Sequence, residues 1–387
     1  MNGYGVTRRG LLALPALAAA QRSGYVAWSW ERWREMTGEE RPRVTSAQSG
    51  NAQLSELVGE RRETLRSVLD VFLGAPPEAV PPLEARTEEE VRLEGGIVRR
   101  RVRFQSEPGE FVPGFLLVPP DAGGRRRPAL VCPHQTTQEG KNEPAGIAGN
   151  PRLAIALALA RRGYVTLTYD AACFGERHDP ASGHYGDAIP FYRRRPRWSM
   201  MGKMAWDASR AVDYLRAQEF VDGARIGSIG HSHGGYTTLF AMALDERIAA
   251  GVSSCGFDTF RHDGNPYRWS HATACLPRLG FYCTSPYLNL KNYAGVPDAE
   301  TIQIPFDVHW VLGLIAPRPV FLATSDDDDI FPNAGWSTRQ AEARLRPVYQ
   351  RAGADGRFET FYFRGGHGFP PSSEERAFAF LARWLGR

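Results

Sequence analysis

The chain has 387 residues, 42% of them hydrophobic and 23% charged, with a formal net charge of +4. That balance suits a globular protein with a large buried core, arranged as one large domain or two medium ones. The basic runs Arg99–Arg101, Arg125–Arg127 and Arg193–Arg195 are short and scattered, which argues against nucleic acid as a partner, and no apolar stretch reaches the ~20 residues of a membrane span.

Residues 1–20 read as a twin-arginine-type signal peptide. Thr7-Arg8-Arg9-Gly10-Leu11-Leu12 precedes an apolar stretch from Leu11 to Ala20, and Ala18-Ala19-Ala20 offers small residues for cleavage before Gln21. A periplasmic or secreted location is therefore expected. Residues 21–94 read as an N-terminal helical extension. Over Gln53–Leu73, the residues Leu54, Leu57, Val58, Leu65, Val68, Leu69 and Phe72 recur at three- and four-residue spacings, the pattern of an amphipathic helix. Gly74-Ala75-Pro76-Pro77 stops it, and a proline-rich linker runs on to Pro82.

From residue 95 to 387 strands alternate with helices. Ile97–Phe104 and Val112–Val118 read as an antiparallel pair, followed by strands at Pro128–Pro133, Tyr164–Tyr169, Arg225–Gly230, Ile248–Ser253, Pro319–Thr324 and Phe358–Phe363. Helices are expected at Leu153–Arg162, Ser199–Gln218, His233–Leu244, Asn333–Ala352 and Glu374–Leu385. The alternation predicts an α/β fold: a doubly wound, mostly parallel central sheet with helices on both faces. A segment at about 256–315, rich in aromatics, histidine and proline, interrupts the pattern and reads as a cap-like insertion over the carboxyl ends of the strands, the edge where ligands bind in open α/β sheets. Five cysteines are too few and too odd a number to staple this fold. Cys275 and Cys283 are close enough to pair in an oxidising compartment, whereas Cys132, in an apolar strand, reads as an inert core thiol.

Gly230-His231-Ser232-His233-Gly234-Gly235 has the form G-x-S-x-G, with an apolar strand running in and a helix running out. Such a turn lifts the Ser232 hydroxyl above the sheet edge at a helix N-terminus, where free amides favour developing negative charge, and Gly230 and Gly234 supply the room it needs. A serine hydroxyl is a poor nucleophile at neutral pH and needs a base, which in turn needs an orienting acid. In this setting the chain order is nucleophile, acid, histidine. The strand ending at Thr324 leads into Ser325-Asp326-Asp327-Asp328-Asp329-Ile330-Phe331-Pro332, and the next strand leads into Arg364-Gly365-Gly366-His367-Gly368. His367 is the candidate base, and the acid lies within the aspartate run. No metal is expected there, because successive loop residues diverge and no calcium-loop spacing is present. Likewise His231 and His233 read as the variable positions of the elbow rather than as an H-x-H metal pair. The oxyanion hole is expected to use the backbone N–H of His233 and that of Gln135 or Thr136, with His134 ordering their loop.

At these residues the chain resembles the α/β-hydrolase superfamily, and within it the acetyl xylan esterase and dienelactone hydrolase-like bacterial hydrolases. The segments that carry the resemblance are His134-Gln135-Thr136, residues 140–146, Tyr169-Asp170 with Phe174-Gly175-Glu176-Arg177, Trp206-Asp207 with residues 210–215, the elbow, residues 314–319, and Gly366-His367-Gly368. The resemblance implies a triad of Ser232, Asp328 and His367. Asp328 is favoured over Asp327 because Asp-x-x-Phe-Pro after a strand matches the acid loop of that fold. It also implies internal ion pairs in Glu176-Arg177 and Asp207-Arg210, and a serine esterase that works through an acyl-enzyme without a cofactor. The expected partner is a small-molecule or carbohydrate ester. Alternatives are a prolyl-oligopeptidase-like peptidase, which shares Gly-x-Ser-x-Gly-Gly but carries a large propeller for which this chain has little room, and a non-catalytic binding protein on a hydrolase scaffold. The aromatics Trp269, Phe281 and Tyr282, with His262 and His271, and the nearby Tyr185, Phe191, Tyr192 and Trp198, suit either stacking on sugar rings or the core of the cap.

Overall fold

The computed structural model of the chain describes residues 76–120, 124–182, 185–259 and 307–386, together with Arg66, Leu69, Asp70, Leu73 and Gly74. The strands are β1 (Arg86–Arg92), β2 (Val98–Glu107), β3 (Glu110–Val118), β4 (Arg127–Val131), β5 (Val165–Tyr169), β6 (Val221–His231), β7 (Ile248–Ser254), β8 (Val320–Ser325) and β9 (Phe358–Phe363). They form one sheet in the order β1-β2-β3-β5-β4-β6-β7-β8-β9. β1, β2, β3 and β5 pair antiparallel, and every pairing from β5 through β4 to β9 is parallel.

The helices are α1 (Ile155–Ala160), α2 (Ala188–Arg194), α3 (Met200–Arg216), α4 (His233–Leu244), α5 (Val308–Ile315), α6 (Ala334–Arg351) and α7 (Pro371–Leu385). One apolar layer gathers α3, α4, α5 and α6 against the sheet, and a second gathers α1 and α7 on the other face. Covered on both faces, β5 (VTLTY) and β8 (VFLATS) are buried along their whole length, which is why they read as apolar runs rather than as alternating strands. The mostly parallel sheet flanked by helices is the architecture expected from the sequence. Among the described residues no helix is long and apolar enough to cross a membrane.

Two expectations need correction. The sheet begins at Arg86, inside the segment expected to be helical, because β1 (RTEEEVR) is a strand. Its charges are poor β-formers, but they face the arginines of β2: Glu90 pairs with Arg100 at 2.8 Å, and Glu88 with Arg101 at 3.2 Å and Arg103 at 2.7 Å. Cross-strand pairing overrides propensity here, and the charges keep an edge strand from pairing further. The expected insertion at 256–315 also ends early. All eight residues of α5 are buried, and α5 packs against α4 and α6, so it is part of the crossover between β7 and β8.

The ion pairs are rearranged as well. Glu176 pairs with Lys141 at 2.5 Å and Arg101 at 2.9 Å rather than with Arg177. Arg177 instead reaches Asp207 at 2.8 Å and also Glu110, and Arg210 pairs with Asp213. Leu69 and Leu73, one helical turn apart, are buried in the same layer as α3. The rest of the expected Gln53–Leu73 helix, the signal segment 1–20, the aromatics at 262–282 and the pair Cys275 and Cys283 lie outside the described residues.

Candidate active site

β6 runs to His231 and α4 starts at His233, leaving Ser232 alone in the turn with φ 52° and ψ −119°. A positive φ in a residue with a side chain costs on the order of 1–3 kcal/mol and persists only where its surroundings enforce it. Here the Ser232 N–H donates to the Ser254 carbonyl at the end of β7 (2.7 Å), and the Ser232 carbonyl accepts from the N–H groups of Gly235 (2.9 Å) and Tyr236 (3.1 Å). The glycines have a steric cause. A Cβ on Gly230 would lie 2.2 Å from the Gly234 carbonyl carbon, and one on Gly234 would lie 2.1 Å from the Pro133 oxygen. The second contact shows how closely the loop after β4 rests on the elbow.

His367 sits on the glycine-rich loop between β9 and α7. Its Nδ1 lies 2.9 Å from Oδ2 and 3.0 Å from Oδ1 of Asp328. Asp328 is 4% exposed, and its Oδ1 also accepts from the N–H groups of Ile330 (2.9 Å) and Phe331 (2.7 Å). Burial alone would raise the Asp328 pKa. The hydrogen bond and charge of His367, with the Phe331 and Ile330 amides, outweigh it and hold the group below the usual carboxylate range. An ionised Asp328 accepts the Nδ1 proton, so the lone pair of the neutral imidazole is on Nε2. Nε2 is buried and makes no hydrogen bond among the described residues, including to Ser232 Oγ. The ring is held from two sides, by Phe331 with centroids 5.1 Å apart and by His231 at 4.9 Å.

The other aspartates of the run face elsewhere. Asp326 pairs with Arg339 at 2.6 Å, and Asp329 accepts the His367 backbone N–H at 3.0 Å. Asp327 accepts from the Ser325 hydroxyl (2.8 Å) and the N–H groups of Gly365 (2.8 Å) and Gly366 (3.1 Å). Those bonds, the Gly365 one first, lower its pKa to about 2. The geometry therefore puts the imidazole on Asp328 and gives Asp327 the loop that carries it.

The His233 N–H lies in the first turn of α4, where amides have no intrahelical acceptor. Opposite it, Gln135 and Thr136 follow His134 on the loop after β4. His134 is 1% exposed. Its Nε2 accepts the Ala171 N–H at 3.1 Å, so its proton is on Nδ1, which donates to the Gln135 carbonyl at 2.5 Å. Burial keeps that imidazole neutral by lowering its pKa. Gln135 Nε2 in turn donates to Glu143 at 3.2 Å. His134 and Glu143 thus fix the loop from either side, and only the first was signalled by the sequence. The two elbow histidines take separate partners. His231 Nδ1 meets the Ser254 hydroxyl at 3.1 Å, while the His233 ring turns toward Met204 and His134. The sequence reading also missed Cys255. It directly follows β7 at the carboxyl edge of the sheet and has its thiol against the Asp328–His367 pair.

A family model described as "Glucuronyl esterase, fungi" matches residues 134–353, more than half of the chain, from the His134 loop through Ser232 and Asp328. A 4-O-methyl-glucuronoyl methylesterase from Phanerochaete carnosa is 28% identical over 238 residues, covering 58% of this chain and 55% of its own length. The chain thus spans about half the length of that curated relative. Among solved structures, a glucuronoyl esterase from Solibacter usitatus superposes with a TM-score of 0.64 at 19% identity, over 89% of this chain and 99% of that one. A glucuronoyl esterase from Teredinibacter turnerae gives 0.59 at 18% identity over 92% of each. At these identities the two structures share the fold. Within the α/β-hydrolase superfamily signalled by the elbow, the match to the family model decides the matter: the chain belongs to the glucuronyl esterase family.

Proposed function

We propose that the chain is a serine hydrolase that cleaves carboxylic esters carried on carbohydrates, with Ser232 as nucleophile, His367 as base and Asp328 as orienting acid. The observation that carries this reading is the 2.9 Å contact of His367 Nδ1 with buried Asp328, on the same sheet edge as a strained Ser232. His367 Nε2 takes the Ser232 proton as Oγ attacks the ester carbonyl. The His233 N–H and a Gln135 or Thr136 N–H receive the oxyanion. His367 then protonates the leaving alcohol, an acyl-serine remains, and water repeats the sequence to release the acid.

The relative's name points to a methyl ester of 4-O-methyl-glucuronic acid as the first substrate to test. The twin-arginine-type leader read in residues 1–20 suits delivery of a folded enzyme to the periplasm or the outside. Ser232→Ala is expected to lower ester turnover by about three orders of magnitude or more while leaving the circular dichroism spectrum intact. Unchanged hydrolysis of a p-nitrophenyl acetate or a methyl glucuronate ester by that variant would refute the assignment. Cleavage of a peptide p-nitroanilide in preference to both esters would favour a peptidase.

A further inference from the structure

Cys255 is a nucleophilic side chain at the sheet edge that the proposed reaction does not use. It is 1% exposed and adopts a positive φ of 44° immediately after β7. Its thiol donates to the Gly368 carbonyl at 3.4 Å, on the loop that carries His367. One ligand atom each from Cys255, Asp328 and His367 lie within 4.8 Å of one another.

We propose that these three side chains form a binding site for a thiophilic divalent cation, Zn2+ or Cd2+, whose occupancy switches the triad off. A thiolate, an imidazole nitrogen and a carboxylate oxygen are the donor set of a borderline-soft ion, which takes them at roughly 2.0–2.3 Å in a tetrahedron with one position left for water. The donors must therefore close up by about an ångström. His367 can supply that movement because its loop is Gly365-Gly366-His367-Gly368, with Gly365 and Gly366 both at positive φ. The other two donors are already oriented by second partners, Cys255 by the Gly368 carbonyl and Asp328 by the Ile330 and Phe331 amides. Binding forms metal–sulfur, metal–oxygen and metal–nitrogen bonds; the thiol proton passes to solvent, the Nδ1–H hydrogen bond to Asp328 breaks, and the imidazole stays neutral, binding through one nitrogen with its proton on the other. The Asp328 carboxylate that orients the imidazole becomes a metal ligand, so metal and catalysis exclude each other. The cation is an inhibitor here, not a cofactor. This inhibitory role rests on the proposed triad; the binding does not.

Titration with Cd2+, followed by the ultraviolet thiolate-to-metal charge-transfer band, reads the site without any turnover. The wild-type chain is expected to show a saturable band that Cys255→Ser loses, with affinity weakened by about a hundredfold. In parallel, Zn2+ should block labelling of Ser232 by a fluorophosphonate probe in the wild type, reversibly with EDTA, and should not do so in Cys255→Ser. A Cd2+ band and a Zn2+ block that Cys255→Ser leaves at wild-type strength would overturn the proposal, as would the absence of both in the wild type. A wild type that shows the band but never hydrolyses an ester or reacts with the probe would keep the metal site and sink the esterase reading instead.

Discussion

A carboxylate orients an imidazole only if its own oxygens are held, and Asp328 is held by the Ile330 and Phe331 amides as well as by His367 itself. Asparagine at that position keeps the shape but offers an NH2 group where an acceptor is needed, so the Nδ1–H tautomer loses its partner. Asp328→Asn is therefore expected to lower kcat by roughly 10³–10⁴, as replacement of the acid does in triads generally, with little change in KM. Asp327→Asn keeps the Oδ1 that accepts from the Gly365 and Gly366 amides, removes only the negative charge and leaves the ring contact intact, and it should cost less than about tenfold. Steady-state kinetics on one p-nitrophenyl ester separates the two, and equal losses would mean that the acid has been misassigned. His231 adds a passive constraint. Burial first, and then the neighbouring His367, push its pKa down to about 3, so His231 adds no positive charge beside the His367 ring near neutral pH.

At the scale of elements, the elbow and the loop after β4 are one unit. Alanine at Gly234 would bring its Cβ to 2.1 Å from the Pro133 oxygen and 3.0 Å from the His134 oxygen. Both are backbone atoms that cannot swing aside, so the loop that offers the Gln135 and Thr136 amides must retreat. Loss of one oxyanion donor costs about 10²–10³ in kcat, and Gly234→Ala is expected to fall in that range with KM nearly preserved. Wild-type kcat in that variant would break the link between elbow and loop. Most of these elements were legible in the sequence for a definite reason: strands buried on both faces read as short apolar runs, and α4 carries its apolar run right after the motif. α5 was not legible because about two mostly apolar turns beside aromatic-rich chain have no periodicity of their own, and only its packing between α4 and α6 identifies it. β1 was hidden by composition, since a run of glutamates and arginines becomes a strand only when matching charges lie opposite. The pairing of His367 with a carboxylate could be read from chain order. Which of four consecutive aspartates it meets depends on the direction of each side chain in the loop, and Asp328 was picked out only by the resemblance of Asp-x-x-Phe-Pro to the acid loop of that fold.

Across the whole molecule, a buried ionic network ties the antiparallel part of the sheet to the helix layer. Asp207 on α3 meets Lys203 at 2.7 Å, Arg177 at 2.8 Å and the Ser106 hydroxyl of β2. Lys203 also reaches Glu107 and Glu110, both at 3.1 Å. Adjacency in sequence suggested other pairs, because facing positions across layers are set by the register of helix on sheet. Burial alone would raise the pKa values of Asp207 and Glu110, but for Asp207 the charges of Arg177 and Lys203, and for Glu110 those of Lys203 and Arg177, win and lower both. The sign of the pH effect follows. With folded values below the ordinary unfolded value of about 4, the native state binds fewer protons than the unfolded chain in acid. The stabilisation is present in full above that value and drains away as pH falls through the folded values. In Asp207→Asn, Arg177 keeps Glu110 and Lys203 keeps both glutamates, but two buried cations lose a shared carboxylate. The variant should be less stable near neutrality by about 3 kcal/mol, the lower end for breaking a buried pair. It should also lose less further stability between roughly pH 5 and pH 2 than the wild type does. Urea unfolding at a series of pH values reads both numbers. Parallel curves for the two proteins would mean that Asp207 titrates alike folded and unfolded, and that the network contributes shape but no acid-sensitive stability.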